Sequence, residues 1–437
     1  MLKISGPLIA GNILQQMYNM IDALVIERYL GESSFAAAGI AASVMNLFLF
    51  LMIGACSGMA ILFSQLSGEG NQDKLRNEHF TGLLFGLALS GVLGMAGICF
   101  LPLLLHLIQT PAELMSETLI YLRIILAALP VTFIYNFYNA LLRSIGDTLS
   151  SLVLLLIAVL MNLGLDIYLI SEMRLGIGGA ASATALSQLL SAVLCILYLK
   201  IRYPELMFRK KDCQWNRQMF TKTARFCLGA ALHQTGLYIG KMIVQGAVNT
   251  GGTAMIAAYT AAGRIEGFAN SFGDSGASAT SILTGHSYGA GNRKRTQKVF
   301  RISLLYMVLL GIVCSVTMYL TRHQTTALLL SAGEGAAFQY AVRYVRLISL
   351  FYVFCFTGNS FAGYFEGTGH IMITVAGACS HIAFRALISG IFIGKYGLDV
   401  VAVATGIGWM GVNLFWCIKM RSSSTSQTGT AFPFRTK

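Results

Sequence analysis

The chain repeats itself with a period close to half of its length. Gly68-Glu-Gly-Asn71 returns as Gly289-Ala-Gly-Asn292 at an offset of 221 positions, and Tyr121-Leu-Arg123 returns as Tyr344-Val-Arg346 at an offset of 223. A period of this length indicates two related halves. In an apolar chain it is typical of membrane proteins built from parallel internal repeats.

The composition indicates that lipid is the solvent. Hydrophobic residues make up 55 % of the 437 residues and charged residues only 11 %, against roughly 25 % charged in a soluble domain. Nine cysteines and seven histidines are scattered without CxxC or HExxH spacing. Neither a disulfide framework nor a zinc site is predicted from them.

Twelve apolar spans of about 20 residues divide the sequence, each long enough to cross a bilayer. Runs this long and continuous favour helices over a barrel, so we predict an all-α integral membrane protein with twelve transmembrane helices. Six spans per half place both halves in the same orientation, which predicts two six-helix lobes related by a pseudo-two-fold axis along the membrane normal. The predicted boundaries are an N-terminal lobe over 1–200, a cytoplasmic linker over 201–222, a C-terminal lobe over 223–421 and a disordered tail over 422–437.

The net charge of +13 orients the chain in the membrane. Lys and Arg concentrate in alternate connecting segments and in the tail, the pattern of the positive-inside rule. We therefore expect a multi-pass protein of the cytoplasmic membrane with both termini in the cytoplasm and no nucleic-acid partner. The first span begins almost at Met1 without a cleavage site, so no signal peptide is expected, and the abrupt start suggests that a few residues precede it.

Two acids lie where charge is costly. An intramembrane charge costs about 2.5–3.5 kcal/mol on insertion scales, yet Asp22 lies in the first span and Asp166 in the fifth. Counting about 1.5 Å per residue puts both in the outer half at similar depth. Asn162 shares a helix face with Asp166, Thr184 reaches a comparable level, and Asn139 in the fourth span lies nearer the cytoplasm.

The repeat shows that this acid pair is confined to the first half. Two carboxylates close together in a low dielectric cannot both stay ionised cheaply, so the pair can take up and release a proton or a sodium ion. A purely structural hydrogen-bonding role remains the alternative. Under the repeat offsets Asp22 corresponds to Ile243, Asn162 to Arg385 and Asp166 to Ser389.

The second half carries a different set of charges. Lys241 lies in span seven, and Arg264, Glu266 and Asp274 lie in span eight, where Glu266, Asn270 and Asp274 share one face. One interpretation is a structural network in which Lys241 or Arg264 pairs with Glu266. The other is that Lys241, Glu266, Asn270 and Asp274 line a substrate cavity.

Aromatic and proline residues complete the candidate set. Tyr18, Tyr135 and Tyr138 could offer cation–π contacts to a cationic substrate, with plain helix packing as the alternative. Pro7 and Pro130 fall inside spans one and four, where each is expected to bend its helix.

In order and spacing, the motifs of the chain resemble those of the multidrug and toxic compound extrusion (MATE) family over nearly all twelve spans. The residues that carry the resemblance are Pro7, Asn19-x-x-Asp22, Ser64–Asn71, Asn139–Asp147, Met161–Asp166, Gly176–Ala181 and Gly285–Asn292. The resemblance implies two six-helix lobes in a V around a central cavity, and cation-driven efflux of drugs. It also implies a cation site formed by Asp22, Asn139, Asn162, Asp166 and Thr184, with Pro7 as the bend point of the first helix.

We therefore expect a monomeric antiporter that exports amphipathic, cationic organic molecules by alternating access, with H⁺ or Na⁺ as the coupling ion and no other cofactor. If sodium couples, Asp22 and Asp166 are its expected metal ligands. A flippase or exporter for lipid-linked sugars or another metabolite is the alternative within transport. A membrane-embedded enzyme is disfavoured, because no nucleophile–base or metal constellation is found.

Overall fold

The computed structural model describes residues 1–330 and 335–426, with side chains described up to residue 422. These residues form fourteen α-helices and no strand. The helices of the first half are α1 Leu2–Leu30, α2 Glu32–Glu69, α3 Gln72–Leu107, α4 Ala112–Ala127, α5 Leu129–Ser144, α6 Thr148–Ile167 and α7 Gly176–Arg202. Those of the second half are α8 Arg217–Asn249, α9 Thr253–Gly289, α10 Arg293–Ala327, α11 Ala336–Ser349, α12 Tyr352–Gly367, α13 Ile371–Tyr396 and α14 Leu398–Ser426.

Two pairs of consecutive helices each form one bent span. α4 and α5 meet at 50°, and α11 and α12 meet at 53°. Seven other helices are long and apolar enough to cross a membrane by length and composition, and α1, α8 and α9 are 29, 33 and 37 residues long. With each bent pair counted once, these helices of the described chain number twelve, as predicted from the sequence, and nine of the twelve are apolar and long enough to be membrane spans.

The glycines with positive φ confirm the internal repeat at the level of the backbone. A left-handed backbone is accessible to glycine at little cost, and eight glycines of the described chain use it as four pairs, at the offsets of 221 or 223 found in the sequence. The pairs are Gly31 and Gly252 (φ 86° and 86°), Gly70 and Gly291 (73° and 68°), Gly146 and Gly369 (91° and 83°), and Gly176 and Gly397 (58° and 59°). These four turns between helices are therefore the same in both halves.

The two predicted proline bends involve different helices. The bend expected at Pro130 is present, and this residue is the second of α5, just after the break. The second half bends equally although Val353 stands at the equivalent position, so packing maintains the bend without proline. Pro7 lies within one continuous helix, and the Lys3 carbonyl, which its missing N–H would have bonded, accepts a hydrogen bond from the Thr148 hydroxyl at 3.4 Å.

The chain packs into two compact units that cut across the sequence repeat. The first comprises residues 1–238, 278–299 and 366–371, and the second comprises residues 239–277, 300–365 and 372 onward. The first unit thus contains all of α1–α7 together with the start of α8, the end of α9 and the turn before α13. In each unit, apolar side chains from several helices form the core.

The segment predicted as a linker is anchored within the first unit. The guanidinium Nε of Arg76 on α3 lies 3.2 Å from the Asp212 carboxylate, and both side chains are buried. The side-chain amide of Asn77 donates to the Asp212 carbonyl at 3.1 Å, and the His79 ring contacts the Leu206 carbonyl at 3.0 Å. These contacts fix much of the segment onto α3.

The same segment is also fastened at its beginning. The hydroxyls of Tyr198 and Tyr203 both donate to the Asp147 carboxylate, at 2.9 and 3.0 Å. Burial, followed by the hydrogen bond to Asp147, raises the pKa of the Tyr203 hydroxyl, so this group remains a donor at neutral pH.

Helices α2 and α9 touch backbone to backbone at the repeated glycine motif. A Cβ atom at Gly68 would overlap the His286 carbonyl oxygen, and one at Gly289 would overlap the Gln65 carbonyl oxygen. Gln65 and His286 are themselves related by the 221-residue offset. The contact is therefore reciprocal, each half supplying one glycine and one carbonyl.

The tail differs from its predicted boundary. α14 continues to Ser426, five residues into the segment predicted to be disordered. The rest of the predicted tail, 427–437, lies outside the described residues.

Candidate functional site

Helices α1 and α6 bring together the two acids that the sequence singled out. Asp22 on α1 is half-buried, whereas Asp166 near the end of α6 is only 1 % exposed. Their carboxyl groups are close enough to share a hydrogen bond when one of them carries a proton. α6 gives way after Ile167 to a π-helical turn, Tyr168–Glu172, a distortion frequent at functional sites.

Polar atoms without partners surround this acid pair. In native structures most buried polar groups are hydrogen-bonded, so each exception needs an explanation. In the described chain one oxygen of Asp22, both oxygens of Asp166, the amide nitrogen of Asn162 and the hydroxyl of Thr184 are buried without a partner. Carboxylate and hydroxyl oxygens concentrated in this way fit a proton or a small hard cation.

The acids at this site are two, Asp22 and Asp166. Within the described residues, the pair belongs to no cluster of three or more His, Cys, Asp or Glu side chains arranged for a metal ion. A sodium ion bound by Asp22 and Asp166 would therefore take its remaining ligands from neutral oxygens such as those of Thr184 and the Asn162 side chain.

Two tyrosines border the acids. Tyr18, a candidate for the substrate cavity, lies against Thr184 and within electrostatic reach of Asp22 and Asp166. Tyr121 on α4 is 5 % exposed and within electrostatic reach of the same two acids. Sequence reasoning did not place Tyr121 in the site, although its return as Tyr344 had already marked it.

The α5 candidates lie in packed surroundings. Asn139 is buried and its side-chain oxygen accepts a hydrogen bond from Ser151 at 2.6 Å. Tyr138 is 3 % exposed, and its hydroxyl is 3.4 Å from the His79 ring. Tyr135 is also buried. None of the hydrogen bonds recorded for the described chain joins Asn139 to Asp22 or Asp166, and burial favours a packing role for both tyrosines.

In the second half, Glu266 and Asn270 lie together on α9 and share one partner, the Tyr352 hydroxyl, at 3.4 Å from each. Lys241 on α8 and Asp274 on α9 are exposed. The ion pairs recorded for the described chain do not include the predicted pairing of Lys241 or Arg264 with Glu266.

A basic residue that was not predicted to belong to this cluster, Arg385, lies near Glu266. The Arg385 guanidinium on α13 donates to the Tyr259 hydroxyl at 2.8 Å and lies within electrostatic reach of Glu266. Its Nε is buried without a hydrogen-bond partner. The internal repeat could have identified Arg385 from the sequence, because the 223-residue offset makes Arg385 equivalent to Asn162.

The model of the MatE family matches residues 7–168 and 230–385, one match in each half. The chain belongs to the MATE family. This MATE chain is 28 % identical over 335 residues to a probable multidrug resistance protein, YoeA, of Bacillus subtilis (strain 168), covering 75 % of this chain and 72 % of the relative. A second probable multidrug resistance protein of that organism, YpnP, is 24 % identical, covering 93 % and 91 %.

More distant relatives and solved structures agree with this assignment. The FAD transporter of Shewanella oneidensis is 25 % identical over 315 residues, covering 70 % of this chain and 69 % of its own. A structure of the outward-facing conformation of a multidrug resistance MATE family transporter superposes with a TM-score of 0.90 at 21 % identity, covering 97 % of this chain and 95 % of the other. The MATE chain therefore has the two-lobed, twelve-helix fold and is a multi-pass membrane transporter of small molecules, not an enzyme.

Proposed function

We propose that this transporter is an antiporter that exports amphipathic, cationic organic compounds in exchange for protons or sodium ions. The observation that carries the proposal is the pair Asp22 and Asp166, whose buried oxygens lack partners. A mobile cation between the two acids satisfies these oxygens and offsets the cost of burying negative charge.

Exchange follows from competition between two access states. An ion that arrives from outside binds between Asp22 and Asp166 and removes one unit of negative charge from the pair, the packing of α1 against α6 changes, and the substrate leaves. The ion can drive this cycle only if it binds one access state more tightly. Moving the equilibrium from 1:99 to 99:1 requires a difference in affinity of about 10⁴-fold.

The proposed setting is the cytoplasmic membrane, with a single chain as the working unit and both termini in the cytoplasm. Support comes from the distribution of Lys and Arg, which concentrate in alternate connecting segments as the positive-inside rule predicts for the cytoplasmic face. No cofactor other than the coupling ion is needed for the exchange.

The test measures uptake of ethidium into inverted membrane vesicles, with proton and sodium gradients imposed separately. Asp22→Asn and Asp166→Asn should each abolish gradient-driven uptake, because the amide cannot exchange a proton and binds sodium weakly. The control is Glu27→Gln, an exposed acid five residues after Asp22 on the same helix, which should leave uptake unchanged. Undiminished gradient-driven uptake by both Asp variants at equal expression would contradict the proposal.

An anionic nucleotide is a second candidate for the exported substrate. The relationship to an FAD transporter and the basic residues Lys241, Arg264 and Arg385 of the second half favour it. The same vesicles offered a flavin nucleotide in place of ethidium distinguish the two substrates directly. A flippase for lipid-linked sugars, the other transport interpretation of the sequence, predicts uptake of neither compound.

A further inference from the structure

The repeat allows the ion site of the first half to be compared position by position with its counterpart in the second. α6 and α13 begin at equivalent residues, Thr148 and Ile371, after equivalent glycine turns at Gly146 and Gly369. The 223-residue offset therefore holds for the backbone of these two helices. By that offset Arg385 occupies the position of Asn162, and Ser389 occupies that of Asp166.

We propose that Arg385 is a built-in cation that occupies the second half's counterpart of the coupling site, so that only the first half exchanges an ion. The inference rests on the proposed function, because it assumes that Asp22 and Asp166 bind the coupling ion. It explains why a chain with a faithful backbone repeat has its acid pair in one half only.

The contacts of Arg385 fit a tethered charge. Tyr259 accepts a hydrogen bond from the guanidinium at 2.8 Å, which holds the charge inside the helix bundle. Glu266 lies two turns along α9 from Tyr259 and is held by the Tyr352 hydroxyl at 3.4 Å. Arg385 and Glu266 thus contact different tyrosines, Tyr259 and Tyr352, and lie within electrostatic reach of each other.

The two halves then differ in the kind of positive charge that balances their acids. In the first half, Asp22 and Asp166 have no fixed basic partner among the ion pairs recorded for the described chain, so their charge must be balanced by an ion from solution. In the second half Glu266 also has no ion pair within 4 Å among those recorded for these residues, but the Arg385 guanidinium lies within electrostatic reach of it and carries a permanent charge, since arginine does not lose its proton in proteins. Glu266 therefore has no need of an exchangeable cation.

Other titratable groups surround the pair and belong to the same comparison. Tyr259, Tyr344, Tyr352 and His381 lie within electrostatic reach of Arg385, and Cys355 lies within reach of Glu266 and also of Lys241 and Asp274. His381 lies one turn before Arg385 and its Nε2 is 3.3 Å from the Thr405 carbonyl. No acid other than Glu266 is among the groups recorded as acting on Arg385 in the described chain.

The test measures how many ions are exchanged per substrate. Purified protein in liposomes is given a fixed ethidium gradient, and the opposing proton gradient is varied. The proton gradient at which the net flux of ethidium is zero gives the number of protons exchanged per ethidium. Arg385→Gln should raise this number by one, because Glu266 then needs a proton from solution. Arg385→Lys and the double variant Arg385→Gln/Glu266→Gln should keep the wild-type number.

If Arg385→Gln does not fold, the other two variants still test the proposal. In that case Arg385→Lys and the double variant must still transport with the wild-type number, and loss of coupled transport in either overturns the proposal. An active Arg385→Gln protein with an unchanged number overturns it as well. A merely structural ion pair predicts that unchanged number.

The proposed function fails in a different and recognisable way. If Asp166→Asn retains gradient-driven transport while Glu266→Gln loses it, coupling lies in the second half and both ideas are wrong. If Asp166→Asn loses coupling and Arg385→Gln leaves the ion number unchanged, only the inference about Arg385 is wrong.

Discussion

Single polar atoms define the proposed ion site more sharply than the acids alone. A carboxylate inside a membrane can be structural. A buried hydroxyl without a partner, however, has lost its hydrogen bonds to water and has gained none within the protein to replace them. Thr184 is such a residue beside Asp22 and Asp166. Its side chain offers an oxygen beside Tyr18, which itself lies within electrostatic reach of both acids.

Replacing that oxygen should weaken ion binding specifically. Thr184→Val keeps the shape of the side chain and removes the hydroxyl, which costs about 1 kcal/mol for one hydrogen bond or ligand. The ion concentration for half-maximal ethidium transport should therefore rise about five-fold. Thr184→Ser retains the oxygen and should behave like the wild type, and an equal rise in both variants would show that the methyl group, not the hydroxyl, matters.

At the scale of elements, the close approach of α2 and α9 at Gly68 and Gly289 depends on the absence of side chains. A methyl group at either position overlaps a backbone carbonyl, and overpacking of this kind typically costs about 1–3 kcal/mol. Neighbouring α2 and α8 bury two native thiols, Cys56 and Cys227, in the core of the same unit.

Alanine at these glycines should therefore loosen the contact and expose Cys227. We expect Gly68→Ala and Gly289→Ala to increase the rate at which a maleimide labels Cys227 about ten-fold, in a background without the exposed cysteines. Gly91→Ala is the matched control, because a Cβ there meets nothing within 4 Å. Labelling rates equal to that control would contradict the packing argument.

The anchored segment between α7 and α8 makes a second prediction at this scale. Breaking a buried ion pair by removing one partner is strongly destabilising, so Asp212→Asn should release the segment from Arg76. Tryptic cleavage at the exposed Lys210 and Lys211 should then accelerate about ten-fold, as followed by gel electrophoresis. Glu205→Gln, an exposed change in the same segment, should not alter the rate.

The twelve helices and their repeat could be predicted from the sequence because both depend on patterns of apolar residues and glycines. The meeting of Asp22 with Asp166 also followed, since intramembrane charges are few and depth limits their partners. The buried ion pair between Asp212 and Arg76 could not be predicted, because in the sequence both residues look like ordinary surface charges. The bend at α11–α12 was missed for a similar reason, since packing produces it without proline.

For the whole molecule, ion binding and stability are linked. A ligand that binds the folded state at 100 times its dissociation constant stabilises it by about 2.7 kcal/mol. If sodium couples, the midpoint of thermal unfolding in detergent should rise when sodium chloride replaces potassium chloride. Asp166→Asn should remove this rise and Glu27→Gln should retain it. If protons couple, no rise occurs with sodium, and the midpoint falls instead as pH increases through the range in which the acid pair releases its proton.

The hydrogen bond between Thr148 and the Lys3 carbonyl gives α1 a fixed end. From Lys3 to Asp22 is roughly 28 Å along the helix, and from Thr148 to Asp166 roughly 27 Å. α1 and α6 therefore run side by side in register, tied at one end by a hydrogen bond that no ion disturbs and at the other by the acids. If α1 pivots near Pro7, 15 residues before Asp22, a tilt of about 10° displaces the carboxylate by roughly 4 Å. In the proposed exchange, the arrival of one small ion would thereby be converted into a movement about as large as a side chain.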